Sequence, residues 1–526
     1  MGGEGDCVMA VRRIPNERLR ALLGAAGWSG ERLARTVNAL GAEAGLPLQY
    51  RRASVGQWLA GMRPAPAVAA LVAEAFTREL GRPVDVAETG LEPPGAQPPT
   101  EAPPADSLWE TDPATRLAEL SGDGPRRRRG TGAASADGVY SLAALRVPDW
   151  VEAGRALNGR GPWSGSGAAT AGATGRTGRT GGTSAGGRIG RSVRAAGGAG
   201  GTGAGGLGGP RVDREQVAAA GAMVRVFSDA DAAFGGGHSR AALAGYLRTV
   251  IAPALRAQAS PAVRRELLAV ASRLTYLCGF MCFDDELHGA AEHYYLAGLR
   301  LAAEAGDCTG YAVTLRALSV QAGALGHPLP ALYLAEAAVH TVTTAGSGPE
   351  AVDAAEGSAR TRAFLFGQLA VAEATVGDRQ AAVAHLSTAQ AHLERADGES
   401  GSVGAYHSAS LAHQHAAVAA AAGEHGRAIA ALQASLRHRP ADERRSRAVT
   451  LARLAELQLA AGHLEAACAS WQAFCDEYPR LRSARIERAL DVLRSRTAAH
   501  RGNSAARALH ARATALRAQR RAGAAD

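Results

Sequence analysis

The 526-residue chain has no lysine, so all 58 of its Lys+Arg residues are arginine. That absence removes several chemistries together: the lysine of a phosphate-binding Walker loop, a Schiff-base lysine and a Ser-Lys dyad. Cysteine is scarce and scattered, at Cys7, Cys278, Cys282, Cys308, Cys468 and Cys475. Cys278 and Cys282 stand one helical turn apart, but no second pair at metal-ligand spacing accompanies them. Buried or free thiols are expected, not a disulfide framework. No run approaches the roughly 18 apolar residues of a membrane span, and nothing at the amino end has the charged-then-apolar pattern of a secretion signal. No membrane partner is expected, and the expected compartment is the cytoplasm.

Catalytic frames are missing as well. Asp284-Asp285-Glu286 reads as a solvated acidic turn between helices, with no partnered nucleophile nearby in sequence. Phe234-Gly-Gly-Gly-His238 is a turn that lacks the lysine and the preceding strand of a phosphate cradle. His407, His413 and His415 lack a fourth-ligand pattern and read as structural or exposed histidines. The expectation is no enzyme, no cofactor and no metal.

What the chain does have is arginine, alanine, glycine and helical periodicity. Basic residues exceed acidic ones by 58 to 49, a net +9 that is only a weak pointer to nucleic acid. The excess is uneven, with eleven arginines against five glutamates between Ala10 and Arg82. After a loose leader at 1–14, Leu19, Leu22 and Leu23 fall at helical spacing and Gly27 stops that helix. Ser29 is placed to cap a second helix carrying Leu33, Val37 and Leu40. A short third helix over 54–60 turns Val55, Trp58 and Leu59 inward and leaves Ser54 and Gln57 outward. Gly61-Met-Arg63-Pro64 ends it, and Val68, Leu71, Val72, Ala75 and Phe76 stripe a fourth.

Over 16–91, Ser29-x-x-x-Leu33-Ala34 followed by Val55-Gly56-Gln57-Trp58-Leu59-Ala60-Gly61-Met62-Arg63-Pro64 resembles the repressor-type (XRE-like) helix-turn-helix domain. In that family the second of two paired helices enters the major groove. The connector between Gly41 and Arg52 is longer than the family's turn of about three or four residues. Arg51 and Arg52 precede the candidate recognition helix and can pair with guanine or clamp phosphate; Gln57 can read adenine, Ser54 can cap or touch backbone, and Arg63 matches the turn after the helix. Arg32, near the start of the second helix, is a phosphate candidate helped by that helix's dipole.

From 92 to 212 the composition changes to a proline-rich run, then Arg126 to Arg129, then a Gly/Ser/Thr/Ala/Arg tract with 22 glycines in 151–210. Such sequence reads as a disordered spacer, with islands near 108–120 and 140–157 able to form transient helices or dock on a partner. Helical periodicity then resumes. Gly423 with Ala428, Leu432, Ser435 and Pro440 returns at the same offsets as Gly462 with Ala467, Trp471, Phe474 and Pro479. Glycine makes the turn, alanine lets two helices approach, the bulky residue shares its face, and proline ends the second helix. Weaker copies follow Gly377 (Ala382, Leu386, Ala389) and Gly326 (Ala331, Ala335, Ala338), and Ala290, Tyr294 and Ala297 make a further candidate. The glycines are 39, 46 and 51 residues apart, longer than the ideal repeat of about 34. These phrases resemble tetratricopeptide repeats, units that bury their apolar face only by stacking on neighbours; the alternative is an ordinary helical bundle.

The expected fold is therefore all-α: a helix-turn-helix domain at 15–91, a linker at 92–212, a repeat α-solenoid at 213–500 and a basic helix or tail at 501–526. That order is similar to actinobacterial regulators that join such a head to such repeats. The resemblance implies double-stranded DNA as one partner, a protein, peptide or small ligand in the repeat groove, and a homodimer. With a long linker, signalling by change of oligomeric state or exposure is expected, since a flexible chain transmits orientation poorly. The other reading is a repeat scaffold for protein partners without sequence-specific DNA binding.

Overall fold

Leucine and tryptophan at helical spacing draw the first helices around one core. The structure, a computed structural model, describes residues 15–43, 46–82, 84–92, 112–122, 140–145, 147–158, 211–345, 358–396 and 406–522. The leader at 1–14 and most of 92–212 lie outside these. The head comprises α1 (Glu17–Ala25), α2 (Gly30–Glu43), α3 (Arg52–Leu59), α4 (Pro66–Leu80) and the single turn α5 (Val86–Thr89). Leu19, Leu33, Val37, Val55, Trp58, Leu71 and Phe76 meet in its interior. Asn16 ties the two ends of this unit together: its Oδ1 accepts the Leu19 N–H at 3.0 Å and its Nδ2 donates to the Thr89 carbonyl at 2.9 Å.

The long connector before α3 is folded back on α2. Asn38 accepts the Tyr50 N–H and donates to the Tyr50 carbonyl, both at 2.8 Å, as a neighbouring strand would. Tyr50 then packs edge-on against Trp58 with ring centroids 5.1 Å apart. Gly41 permits this, because a Cβ there would stand 2.5 Å from Leu48 Cδ1.

Beyond the head, α6 (Pro113–Gly122) and α7 (Trp150–Asn158) precede α8 (Arg214–Phe234) and α9 (Gly236–Tyr246), which runs through one π-helical turn, Leu247–Ile251, into α10 (Ala252–Arg256). Antiparallel pairs then stack in succession. They are α11 (Pro261–Asp284) with α12 (His288–Ala305), α13 (Cys308–Ala324) with α14 (Pro328–Ala345), and α15 (Ser358–Val376) with α16 (Arg379–Arg395). Next come α17 (Ser408–Ala421) with α18 (His425–His438), α19 (Arg444–Ala460) with α20 (Leu464–Glu477), and α21 (Ala484–Ala498) with α22 (Ser504–Ala522). Apart from a bridge between Arg211 and Gln258, the described residues contain no strand. Gly326, Gly377, Gly423 and Gly462 turn four of the pairs in the left-handed region, with φ of 85°, 93°, 74° and 85°. In the first pair Glu286 holds that conformation at φ 57°, without glycine's freedom. The phrase positions Ala428, Leu432, Ser435, Ala467, Trp471 and Phe474 are all buried, each second helix packing on its neighbours. By length and composition α11 could cross a membrane, but it is largely buried among α8, α9, α12 and α13.

Three expectations change. The islands of the spacer dock on the chain itself and not on a partner: α6, α7 and the turn Leu142–Leu145 put Leu117, Tyr140, Leu145, Val147 and Ala153 into the core of the first pairs. Glu292, fully buried, accepts the Ser141 N–H at 2.9 Å, and Tyr311 donates to the Pro148 carbonyl at 2.7 Å. The array also extends past 500, because α22 packs on α21 through Ala506, Leu509 and Ala513. Its arginines are partly engaged in this: Arg512 pairs with Asp476 at 2.6 Å and Arg517 with Glu487 at 2.6 Å.

The acidic turn is the third correction. Asp284 is wholly buried, and each member of the trio has an arginine: Arg445 stands 3.9 Å from Asp284, Arg240 2.9 Å from Asp285 and Arg488 2.8 Å from Glu286. The reason is that the last pairs return to the first. Arg482 donates its N–H to the Phe234 carbonyl at 2.7 Å and accepts from the Gly237 N–H at 3.0 Å, while Asp284 accepts the Gly236 N–H at 3.0 Å. Arg445 pairs with Asp231 of α8 at 3.0 Å; burial, offset in part by Arg445, lifts the Asp231 carboxyl to about 6. The glycine turn is a socket: a Cβ on Gly236 would lie 2.6 Å from the Met281 carbonyl oxygen. Gly236→Ala should therefore lower the unfolding midpoint, at a cost of about 1–3 kcal/mol. Gly245→Ala, where a Cβ meets nothing within 4 Å, should raise it by about 0.5–1 kcal/mol. Thermal unfolding of the two variants checks the contrast.

Candidate nucleic-acid interface

The candidate surface begins at the start of α3. Arg51 stands just before the helix, extended at φ −129° and ψ 172°, and its N–H donates to Ser54 Oγ at 3.3 Å. Ser54 is thus occupied in closing the first turn. Val55 and Trp58 point into the head core, which fixes the rotation of α3 and leaves Arg52, Ala53, Gly56, Gln57 and Ala60 exposed. Arg63 follows the turn after the helix and is exposed too. Arg51, Arg52, Gln57 and Arg63 are therefore exposed along one short stretch of chain, with Ser54 half-buried among them.

Arg32 is placed differently. Its N–H donates to the Ser29 Oγ cap at 3.2 Å, but its guanidinium pairs with Glu79 at 3.0 Å and lies over Trp28, 5.0 Å from the ring centroid. It ties α2 to α4. The pair is well exposed, so it contributes little to stability and leaves the guanidinium able to exchange partners.

Ionic pairing separates the head's arginines. Arg20 pairs with Glu17, Arg32 with Glu79, Arg78 with Glu43 and Glu74, and Arg82 with Glu88. Among the described residues Arg51, Arg52, Arg63, Arg35 of α2 and Arg18 of α1 have no carboxylate within ion-pair distance, Arg18 donating instead to the Ala87 carbonyl at 2.9 Å. Arg35 was missed by sequence reasoning, although it lies one turn beyond Arg32 toward the solvent. Also missed was the low relief of α3: Ala53, Gly56 and Ala60 are small, and a Cβ on Gly56 meets nothing within 4 Å. A face of that kind lets a helix approach a flat or grooved partner closely.

The opposite side of the head is covered by the array. In α4 the second face, Ala67, Ala73 and Glu74, is buried as well as the first. Glu74 Oε1 contacts His327 Nε2 at 3.2 Å, the two side chains being 6% and 3% exposed, and Tyr140 stacks on His327 with centroids 5.7 Å apart. Arg78, held by Glu43 at 2.9 Å and Glu74 at 2.8 Å, lies close to the first turn of α12. Burial, then the charge of Arg78, holds His288 there down at about 3, so the imidazole is neutral. The head is docked on the helix-pair turns of the array, not held away from it.

Residues 19–92 match the family model of the SP15 N-terminal domain, a span from the first core leucine of α1 to the end of the head. No curated protein and no solved structure matches the chain.

Glu74 and His327 should behave as a coupled pair across this contact. His327→Ala and Glu74→Gln should each cost about 1–3 kcal/mol, since each leaves a buried polar partner unmatched. The double variant should cost less than their sum by about 0.5–3 kcal/mol. Denaturant unfolding of the four chains measures the coupling, and strict additivity would refute the contact.

Proposed function

We propose that the chain is a DNA-binding transcriptional regulator, with a repressor-type helix-turn-helix head and tetratricopeptide-like repeats that receive an effector. The observation that carries this reading is the selective exposure on α3. Arg51, Arg52, Gln57 and Arg63 face solvent without acidic partners, while most other head arginines are matched inside the head. Gln57 sits where a side chain can read an adenine edge, and Arg52, whose stem runs beside Gly30 at the start of α2, can take guanine or phosphate. The small residues beside Gln57 suit the floor of a major groove.

The docked head alters how an effector would act. Through Glu74, His327 and Tyr140, α4 touches the turns of the early pairs, so a shift in those pairs is felt by the head directly. A homodimer on a symmetric site remains the expected assembly, since one small head makes few contacts. A second reading, a cytoplasmic scaffold for protein partners without DNA specificity, is favoured by Leu329 and Tyr333, exposed at 66% and 57% one turn apart on α14.

Duplexes selected from a random library by the whole chain, with binding followed by fluorescence anisotropy against salt, separate the two. The Arg51→Ala/Arg52→Ala variant should bind all duplexes more weakly and lower the salt slope by up to about two. Gln57→Ala should lose about 1–3 kcal/mol of preference at one base position. Failure to enrich any sequence, or binding equal in all variants and insensitive to salt, would leave the scaffold reading.

A further inference from the structure

The part of the spacer that lies on the array rests on a carboxyl with no cation to balance it. Glu292 of α12 is wholly buried. Its Oε2 accepts the Ser141 N–H at 2.9 Å, and its Oε1 is buried with no hydrogen-bond partner. The ion pairs among the described residues include none to Glu292, and the charged side chain that acts on it, Glu74 of α4, is itself an acid. An ionised carboxylate so placed has nothing to support its charge, so the group is held neutral. Burial first pushes its pKa well above the ordinary carboxyl range; the Ser141 N–H offsets this in part, and Glu74 adds to it.

The neighbouring elements supply no counter-charge. From the spacer, Tyr140 presents a buried phenol that burial, then the charges of Glu292 and Glu74, keeps protonated. From the head, Arg78 is taken up by Glu43 at 2.9 Å and Glu74 at 2.8 Å. His327, just before α14, turns its Nε2 to Glu74 at 3.2 Å, and His288, one turn earlier on α12, is neutral. Arg116 and Glu119 of α6 pair with each other at 3.8 Å, while Asp149 and Glu152 cap the start of α7. At the end of α11, Asp284 and Asp285 face Arg445 and Arg240. A chain of contacts links the lone carboxyl to the head: Ser141 sits on Glu292, the adjoining Tyr140 stacks on His327 with centroids 5.7 Å apart, and His327 touches Glu74.

We propose that residues 140–145 form a proton-gated strap, which lies on the array while Glu292 is neutral and lifts as the pH rises and that carboxyl ionises. With the strap lifted, Glu292 meets water and titrates in the ordinary carboxyl range. Docking therefore takes up one proton at any pH between that range and the raised value. It is strongest in acid, below both values, and weakens by up to about tenfold per pH unit above the first. Through Tyr140 the strap is one wall of the contact that seats α4, so lifting it loosens the seat of the head. Nothing in this device depends on whether α3 meets DNA, and its test contains none.

Hydrogen exchange read by mass spectrometry tests the strap in the full chain, wild type and Glu292→Gln, from about pH 7 to about pH 9. Glutamine keeps the size and the acceptor for the Ser141 N–H but cannot ionise. The ratio of exchange rates, wild type over variant, cancels the direct effect of hydroxide and of the groups that titrate in both chains. In the peptide covering residues 140–145 this ratio should rise about tenfold or more across the range. In peptides from α21 and α22 it should stay level. If Glu292→Gln does not fold, Glu292→Met, likewise uncharged, takes its place. A ratio over 140–145 that is level with pH, whatever its size, or an equal rise in α21 and α22, would overturn the strap.

Discussion

The structure depends on the contact that brings the end of the array back to its beginning. Gly235 and Gly237 admit the backbone of Arg482 and Gly236 that of Met281, Asp284 accepts a turn N–H, and Arg445 reaches across to Asp231. Stacked helix pairs need not close; their small per-repeat rotation ordinarily builds an open superhelix. Here closure places two buried carboxylates and one arginine where none would be stable alone. A buried ion pair is weak evidence for stability, but breaking one leaves an uncompensated charge and is costly.

Closure also bears on the head. The first pairs, held from behind by the last ones, present the turns around His288 and His327, and α4 lies against these turns with both of its faces buried. Residues from the spacer complete this surface: Tyr140 stacks on His327 and Trp150 packs edge-on against Tyr311 at 5.4 Å. The head is thus a neighbour of the array, and its docking leaves α3 facing outward. A ligand that binds the array in one arrangement of its early pairs better than another would bias the head by that difference in affinity.

Much of this was legible in the sequence, for local reasons. The four head helices follow from leucine spacing, Ser29 and Gly27, and the repeat phrases from glycines that must adopt positive φ and from alanines that must be small. The first repeat was faint because Glu286, not glycine, makes its turn. Long-range facts were harder. Asp284-Asp285-Glu286 looks solvated because the arginines that bury it, Arg240, Arg445 and Arg488, lie up to about two hundred residues away in sequence. The islands at 113–122 and 150–158 are short and surrounded by polar tract, so their apolar residues gave no sign of which core they join. One signal was present and unused: α4 is apolar almost all round, the mark of a helix covered on two sides. For the candidate site, Arg51, Arg52, Gln57 and Arg63 lie outward as the pattern implies, whereas the tie between Arg32 and Glu79 needs two helices brought together.

The central claim is that α3 meets DNA in the major groove. Methylation interference on duplexes that the full chain has selected tests it most directly, because modification of guanine N7 marks the major groove and of adenine N3 the minor. The account predicts a short cluster of interfering guanines in each half-site, lost when Arg51 and Arg52 are both alanine. Interference confined to adenine N3, or none at any base in a duplex that is bound, would contradict it.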